Sequence, residues 1–151
     1  MDAHPRCAIA GIKQLSSENS DLIIHGGCGE AYPNGQHLSG LVSRDDHTTS
    51  RQMPWVNGAC MVVRMESIPW FGLMDENMFL IGSDSDWCYT ARSRGWQVWY
   101  IAEASCVHEQ GVTSGNADEK VQRQMYLDMI YWRNKWVGSD LYRELSMEIF
   151  D

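Results

Sequence analysis

The sequence predicts an α/β domain built on a mixed sheet, and three observations carry that prediction. Short apolar and β-branched runs closed by turn residues recur along the chain, and they alternate with longer runs bearing a helical apolar stripe. The composition is globular: 44% of the residues are hydrophobic and 21% charged, too apolar for a disordered chain. The length, 151 residues, suits one domain. Residues 1–151 are therefore read as a single unit, with a long polar loop over 29–51 and C-terminal helices over 119–151.

Cys7–Ile12 is an apolar run ending near Gly11, and Leu22–Ile24 is a second, closed by His25-Gly26-Gly27; both are predicted strands. Gly29–Arg51 is rich in Gly, Ser, His and Asp, with a turn at Pro33-Asn34-Gly35. It approaches the longest loop a compact domain carries without using it. Trp55–Met65 reads as a buried central strand, and Glu66–Phe71 as a helical turn stopped around Pro69 and Gly72. Asp84–Arg94 follows as a helix, with Trp87, Cys88 and Ala91 on one face and Gly95 as its stop. Trp96–Ile101 and Ser105–His108 are predicted strands. Glu119–Trp136 is the longest helical pattern, with Met125, Met129, Trp132 and Trp136 recurring on one stripe, and Leu141–Phe150 is a final helix.

Charge and cysteine content narrow the function classes. Lys and Arg number 12 against 20 Asp and Glu, a net charge of −8, which argues against a nucleic-acid binder. No apolar run approaches the roughly 20 residues of a membrane span, and no basic-then-apolar leader is visible at Met1-Asp2-Ala3-His4, so a cytoplasmic location is expected. The five cysteines lie far apart with no C-x-x-C pair and read as buried thiols rather than a disulfide frame or zinc knuckle. Seven tryptophans are a large aromatic load. Trp87, Trp132 and Trp136 fit helix stripes and are predicted core; Trp55 and Trp70 border Gly and Pro turns, where a platform for a flat ligand is possible.

The densest chemical stretch is Gly82-Ser83-Asp84-Ser85-Asp86-Trp87, followed by Arg92, Gly95 and, one strand later, His108. Ser83 or Asp84 is expected at the helix N-cap and Asp86 in the first turn, where free backbone N–H groups and the helix dipole keep a carboxylate ionised. Such a group can take a proton from a hydroxyl or share a divalent cation with a neutral imidazole. His108 closes a strand, at the sheet edge where open α/β sheets place ligands. The same pattern also describes an ordinary capped helix and a hydrogen-bonded strand-end histidine, so spacing alone leaves both readings open.

Four segments in order carry a family resemblance: Trp55-Val56-Asn57-Gly58-Ala59-Cys60-Met61-Val62-Val63-Arg64, then Phe71-Gly72-Leu73-Met74-Asp75-Glu76-Asn77-Met78-Phe79, then Ser83-Asp84-Ser85-Asp86-Trp87-Cys88 with Arg92 and Gly95, then Val107-His108-Glu109-Gln110-Gly111 with Ser114. Together they resemble the second half of family 2 glycosyltransferases, nearest the rhamnosyltransferase-like branch. The likeness extends back to Ile24-His25-Gly26-Gly27 and forward to Tyr131-Trp132-Arg133-Asn134. It implies a partial GT-A-like mixed sheet flanked by helices, a nucleotide-sugar donor with Mn or Mg, and inverting transfer to an acceptor hydroxyl. Asp84 falls at the family's general base and His108 at the histidine that helps hold the metal or diphosphate. Trp55, Asp75 and Glu76 fall where the family lines its acceptor pocket, while Asp86 and Arg92 position the helix.

Two departures qualify what the resemblance implies. Ser83 stands where the family usually has Glu, and the nucleotide-binding half with its D-x-D metal motif is absent from this sequence. The expectation is a truncated transferase-like protein, inactive and without a bound cofactor by itself. It would form a homodimer or pair with a chain supplying the nucleotide-binding half. The alternative is a non-catalytic carbohydrate-binding or protein-interaction module derived from the same fold.

Overall fold

Strand β1 (Cys7–Ser16) forms the spine of the sheet, and its first five residues are all buried. The computed structural model describes residues 1–27, 32, 42–109 and 117–147. Cys28, the Pro33-Asn34-Gly35 turn, Gln110, Gly111, Ser114 and the end of the final helix lie outside the described residues.

The predicted strand Cys7–Ile12 continues four residues further because Lys13 and Gln14, although polar, are buried with partners. Lys13 Nζ donates to the carbonyls of Arg44 and Asp46 at 2.7 and 2.8 Å, which pairs two of the ammonium's three N–H groups. Beside β1 lie β2 (Leu22–His25), β3 (Val42–Ser43), β4 (Arg51–Gln52), β5 (Met61–Val63) and β6 (Gln97–His108). The order is β3-β2-β1-β6-β4, with β5 pairing the first half of β1 and β2 the second half, on the side away from β6. Only β1 and β6 run parallel; the other pairs are antiparallel, so the sheet is mixed.

Three of the predicted strands require correction. Trp55–Met65 is not one buried strand: β5 occupies only Met61–Val63, and its residues are half-buried or exposed. Asn57 caps a 3-10 turn over Gly58–Cys60, its side chain accepting from the Ala59 N–H, and that turn breaks the strand. The apolar residues ahead of it, Trp55 and Val56, are buried against the sheet, with Trp55 making only a single isolated bridge rather than a run of strand. Gly11 makes this approach possible, since a Cβ there would lie 2.5 Å from Val56 Cβ. The predicted strands Trp96–Ile101 and Ser105–His108 are a single strand. The register against β1 jumps from Ile12↔Ile101 to Lys13↔Ser105, so the apparent break is a bulge.

Helix α1 (Ile68–Phe71) follows a 3-10 turn at Met65–Ser67 and ends at Gly72, whose φ of 86° is left-handed. Helix α2 (Ser83–Ser93) makes the connection that a parallel β1–β6 pair requires and ends before Gly95. Helix α3 (Glu119–Trp136) is capped by Asp118 and buries Trp132 and Trp136, while α4 (Asp140–Met147) buries Leu145. These side chains close over Ile9, Met53, Val56, Cys88, Tyr89, Val98 and Tyr100 in one core. Tyr89 packs edge-on to both Trp132 and Trp136, at 5.3 and 5.4 Å. Cys7 and Cys88 are buried as predicted, whereas Cys60 and Cys106 are only half-buried; these four thiols are free. Among the described residues no helix is long and apolar enough to cross a membrane.

Candidate functional site

Helix α2 begins from Gly82, which holds the N-cap position with a left-handed φ of 80°. Ser83 and Asp84 thus lie inside the first turn rather than at the cap. A glycine is required because of both that φ and the crowding: a Cβ would meet Trp132 Cδ1 at 3.2 Å. The preceding loop is fixed from α3. Asp128, fully buried, accepts the backbone N–H groups of Phe79, Leu80 and Ile81 on Oδ2 at 3.2, 2.6 and 3.1 Å, and Gln124 Nε2 on Oδ1 at 2.7 Å. Burial pushes its carboxyl pKa up, but these four bonds outweigh it and leave the pKa below the usual value.

Asp84 is half-buried on the first turn of α2. Its Oδ2 accepts the Gly58 N–H at 2.9 Å and its Oδ1 the Ser85 N–H at 2.7 Å. The carboxylate is therefore oriented by two backbone donors, one from its own helix and one from the Asn57–Ala59 turn. Gly58 also admits the close approach: a Cβ there would lie 3.2 Å from Asp84 Cβ. Tyr32 stands nearby, its phenol pushed up to about 12 by burial and by the charges of Asp84 and Asp128.

The other end of the Asn57–Ala59 turn reaches His108. Gln14, fully buried in β1, donates from Nε2 to Asn57 Oδ1 at 3.1 Å, and its Oε1 lies 3.1 Å from His108 Nδ1. The Asn57 N–H donates to Nε2 of buried His25 at 3.3 Å, so that ring is neutral and protonated at Nδ1. Asp84 and His108 are thus tied to neighbouring residues of one turn, Asp84 directly to Gly58 and His108 through Gln14 to Asn57.

The remaining predicted site residues are arranged differently. Trp55 is 2% exposed and meets Tyr32 edge-on at 5.3 Å, so its ring is part of the core floor and presents no open face. Asp75 binds α3: Oδ2 accepts Tyr131 Oη at 3.1 Å and Lys135 Nζ at 2.9 Å, and Oδ1 accepts from Asn77. The Lys135 ammonium above all holds its carboxyl well below the usual range. Glu76 is exposed. Asp86, 1% exposed, accepts Trp136 Nε1 at 2.6 Å and pairs with Lys135 at 2.8 Å. Arg92 donates from Nη1 to the Met53 carbonyl at 2.9 Å, tethering α2 to the segment that enters the turn.

A family model for glycosyltransferase-like family 2 matches residues 36–126, more than half of the chain and spanning Asn57, Gly58, Asp84 and His108. The chain belongs to that family. No curated protein matches it. The mixed sheet flanked by helices is accordingly a partial GT-A-like fold.

For a member of glycosyltransferase-like family 2 the divalent cation is the first group to test against the site. Among the described residues no three His, Cys, Asp or Glu side chains stand close enough to share a metal ion. There His108 lacks the carboxylates that a hard cation needs beside it, so those residues do not fit the group. Sequence reasoning also missed residues that build this family member's site: Gln14, His25 and Asn57 in the polar chain, and Asp128 and Lys135 on α3. Asp128 had a legible signal, since it falls four residues before Trp132 on the stripe that Trp132 and Trp136 define. Gln14 had none beyond a polar residue in an apolar strand.

Proposed function

We propose that this chain carries the acceptor-and-base side of an inverting, nucleotide-sugar-dependent transferase of the rhamnosyltransferase-like kind, with Asp84 as general base. One observation carries the reading: Asp84 is aimed by the Gly58 N–H, which joins the Trp55-Val56-Asn57-Gly58-Ala59 and Ser83-Asp84-Ser85-Asp86 segments into one site. Two backbone donors fix the direction of the carboxylate. It can then take the proton of an acceptor hydroxyl as that oxygen attacks the anomeric carbon and the nucleotide diphosphate leaves. Donor binding is assigned to a nucleotide-binding half supplied by a partner chain, with Mn or Mg held there.

The test is transfer to a carbohydrate acceptor with that half supplied. Asp84→Asn lowers the rate by about 10²–10⁴-fold while leaving the melting temperature nearly unchanged; undiminished transfer would remove Asp84 as base. With millimolar UDP- or dTDP-sugar and Mn²⁺, the melting temperature rises only when the nucleotide-binding half is present. A rise with this chain alone would place the donor pocket within it.

A second reading, a carbohydrate-binding module without transfer, is favoured by a different place in the fold. Arg6, Trp70, Arg94, Gly95 and Trp96 line a cleft of about 510 Å³, and Trp70 is 71% exposed. The cleft lies at the far end of α2, about 16 Å along the helix from Asp84. Glycoside binding that survives Asp84→Asn but is lost in Trp70→Ala would favour this reading.

A further inference from the structure

A chain of hydrogen bonds with one fixed polarity runs from a backbone amide to His108. The Ala59 N–H donates to Asn57 Oδ1 at 2.8 Å, and a backbone N–H cannot act as acceptor. That bond decides which end of the Asn57 amide is oxygen. The same oxygen receives Gln14 Nε2 at 3.1 Å, so Gln14 turns its NH2 toward Asn57 and its carbonyl toward the histidine. Gln14 Oε1 then stands 3.1 Å from His108 Nδ1. A carbonyl oxygen only accepts, so Nδ1 carries a proton. Neutral imidazole has one N–H, which leaves a lone pair at Nε2. Gln14 is 0% exposed, so water does not compete to reverse its amide. Among the described residues His108 Nε2 has no hydrogen-bond partner.

We propose that Gln14 and Asn57 are positioning residues that hold His108 in the Nδ1–H tautomer, so that Nε2 accepts a hydrogen bond from an acceptor hydroxyl instead of donating one to a phosphate oxygen. The identity of that hydroxyl rests on the transferase reading; the tautomer stands independently of it. A reversed Gln14 amide would set its carbonyl against Asn57 Oδ1, exchanging that hydrogen bond for two opposed acceptors in a buried place.

The decisive measurement is the long-range ¹H–¹⁵N ring spectrum of the ¹⁵N-labelled protein at a pH where imidazole is neutral, with His108 assigned by its loss in His108→Gln. The wild-type ring gives the Nδ1–H pattern. Gln14→Glu retains an acceptor beside Nδ1 and keeps that pattern, and Asn57→Asp retains the acceptor for Ala59 and Gln14 and keeps it too. Gln14→Leu removes the acceptor and moves the ring to the Nε2–H form that free imidazole favours. Should Gln14→Leu not fold, Asn57→Ala frees the Gln14 amide and gives a mixture of the two patterns. An Nε2–H ring in the wild type, or a ring indifferent to Gln14→Leu or to Asn57→Ala, overturns the relay. A simple methyl glycoside shifts the His108 Nε2 signal and inorganic phosphate does not; the converse, or no shift with the glycoside, overturns the hydroxyl assignment. An Nδ1–H ring in a protein whose transfer is indifferent to Asp84→Asn would leave the relay standing and remove the transferase reading.

Discussion

Asp128 and Lys135 act where α3 meets the loop and helix that carry Asp84. Asp128→Asn keeps the shape but removes the charge that draws three backbone N–H groups to one oxygen, and is expected to destabilise by about 1–3 kcal/mol in urea unfolding. Because the folded pKa of Asp128 is depressed, its contribution is present above the ordinary carboxylate pKa and is lost as pH falls through the folded value. The variant should therefore show a flatter acid limb of stability against pH than the wild type. Lys135 differs in sign. Burial works against its charge, but the bonds to Asp75 and Asp86 win and raise its pKa. Lys135→Met leaves Asp86 buried with only Trp136 Nε1, at a cost of about 2–3 kcal/mol at pH 7. That lies below the full penalty of a broken buried pair because Lys135 is itself partly exposed. Burial already raises the Asp86 pKa, and the lost lysine raises it further. A carboxyl with a raised folded pKa favours the fold below its unfolded pKa and forfeits that as pH rises. The Lys135→Met deficit should accordingly shrink from pH 7 to pH 5, and a constant deficit would contradict the pairing.

At the level of elements, the site depends on one strand being breakable. Trp55–Met65 has the composition of a buried strand, yet Asn57 captures the Ala59 N–H and turns the chain into the site. Local side-chain capture defeats strand propensity there, and the flanking Trp55 and Val56 are buried with no more than a single bridge at Trp55. Gly11 is the other half of that arrangement. Gly11→Ala places a Cβ 2.5 Å from Val56 Cβ, in a strand paired on both edges, where neither side can easily retreat. The expected loss is about 1–3 kcal/mol. It should be accompanied by loosened protection of the Gly58 amide in hydrogen exchange, since the displaced segment leads to Asp84. Helices α2 and α3 were legible because an amphipathic stripe of 3.6-residue period has few alternative placements. The N-cap expectation, Ser83 or Asp84, falls one or two positions past the observed cap because Ser and Asp are good caps in sequence. Here a glycine takes the cap to satisfy the left-handed turn against Trp132.

Across the whole molecule, the outer edge of β6 stands out. Of its 12 residues only Trp99 and Tyr100 pair with β4 among the described residues, while Val107 near the other end is 61% exposed. Among the described residues the C-terminal half of that edge has no strand beside it; an open strand edge is a template for another strand, and we propose that it pairs with a second copy or with the partner bearing the nucleotide-binding half. Sedimentation velocity at micromolar concentration should show a dimer of this chain in the absence of that partner. A monomer there would remove self-association, and Val107→Lys should shift a dimer toward monomer.

The sequence by itself determined the class of fold, the helices and the order of segments that mark glycosyltransferase-like family 2, because periodicity and turn chemistry act over a few residues. It also singled out Asp84 and His108. Only the tertiary structure decided how they are held. Gln14 lies 43 residues before Asn57 and 94 before His108, and Asp128 reaches back 49 residues to Phe79. Such partners meet only when the sheet closes, and a buried polar side chain must find them or unfold the place it occupies. The same closure put Trp55 into the core and Asp75 on Lys135, two roles that no local pattern encodes.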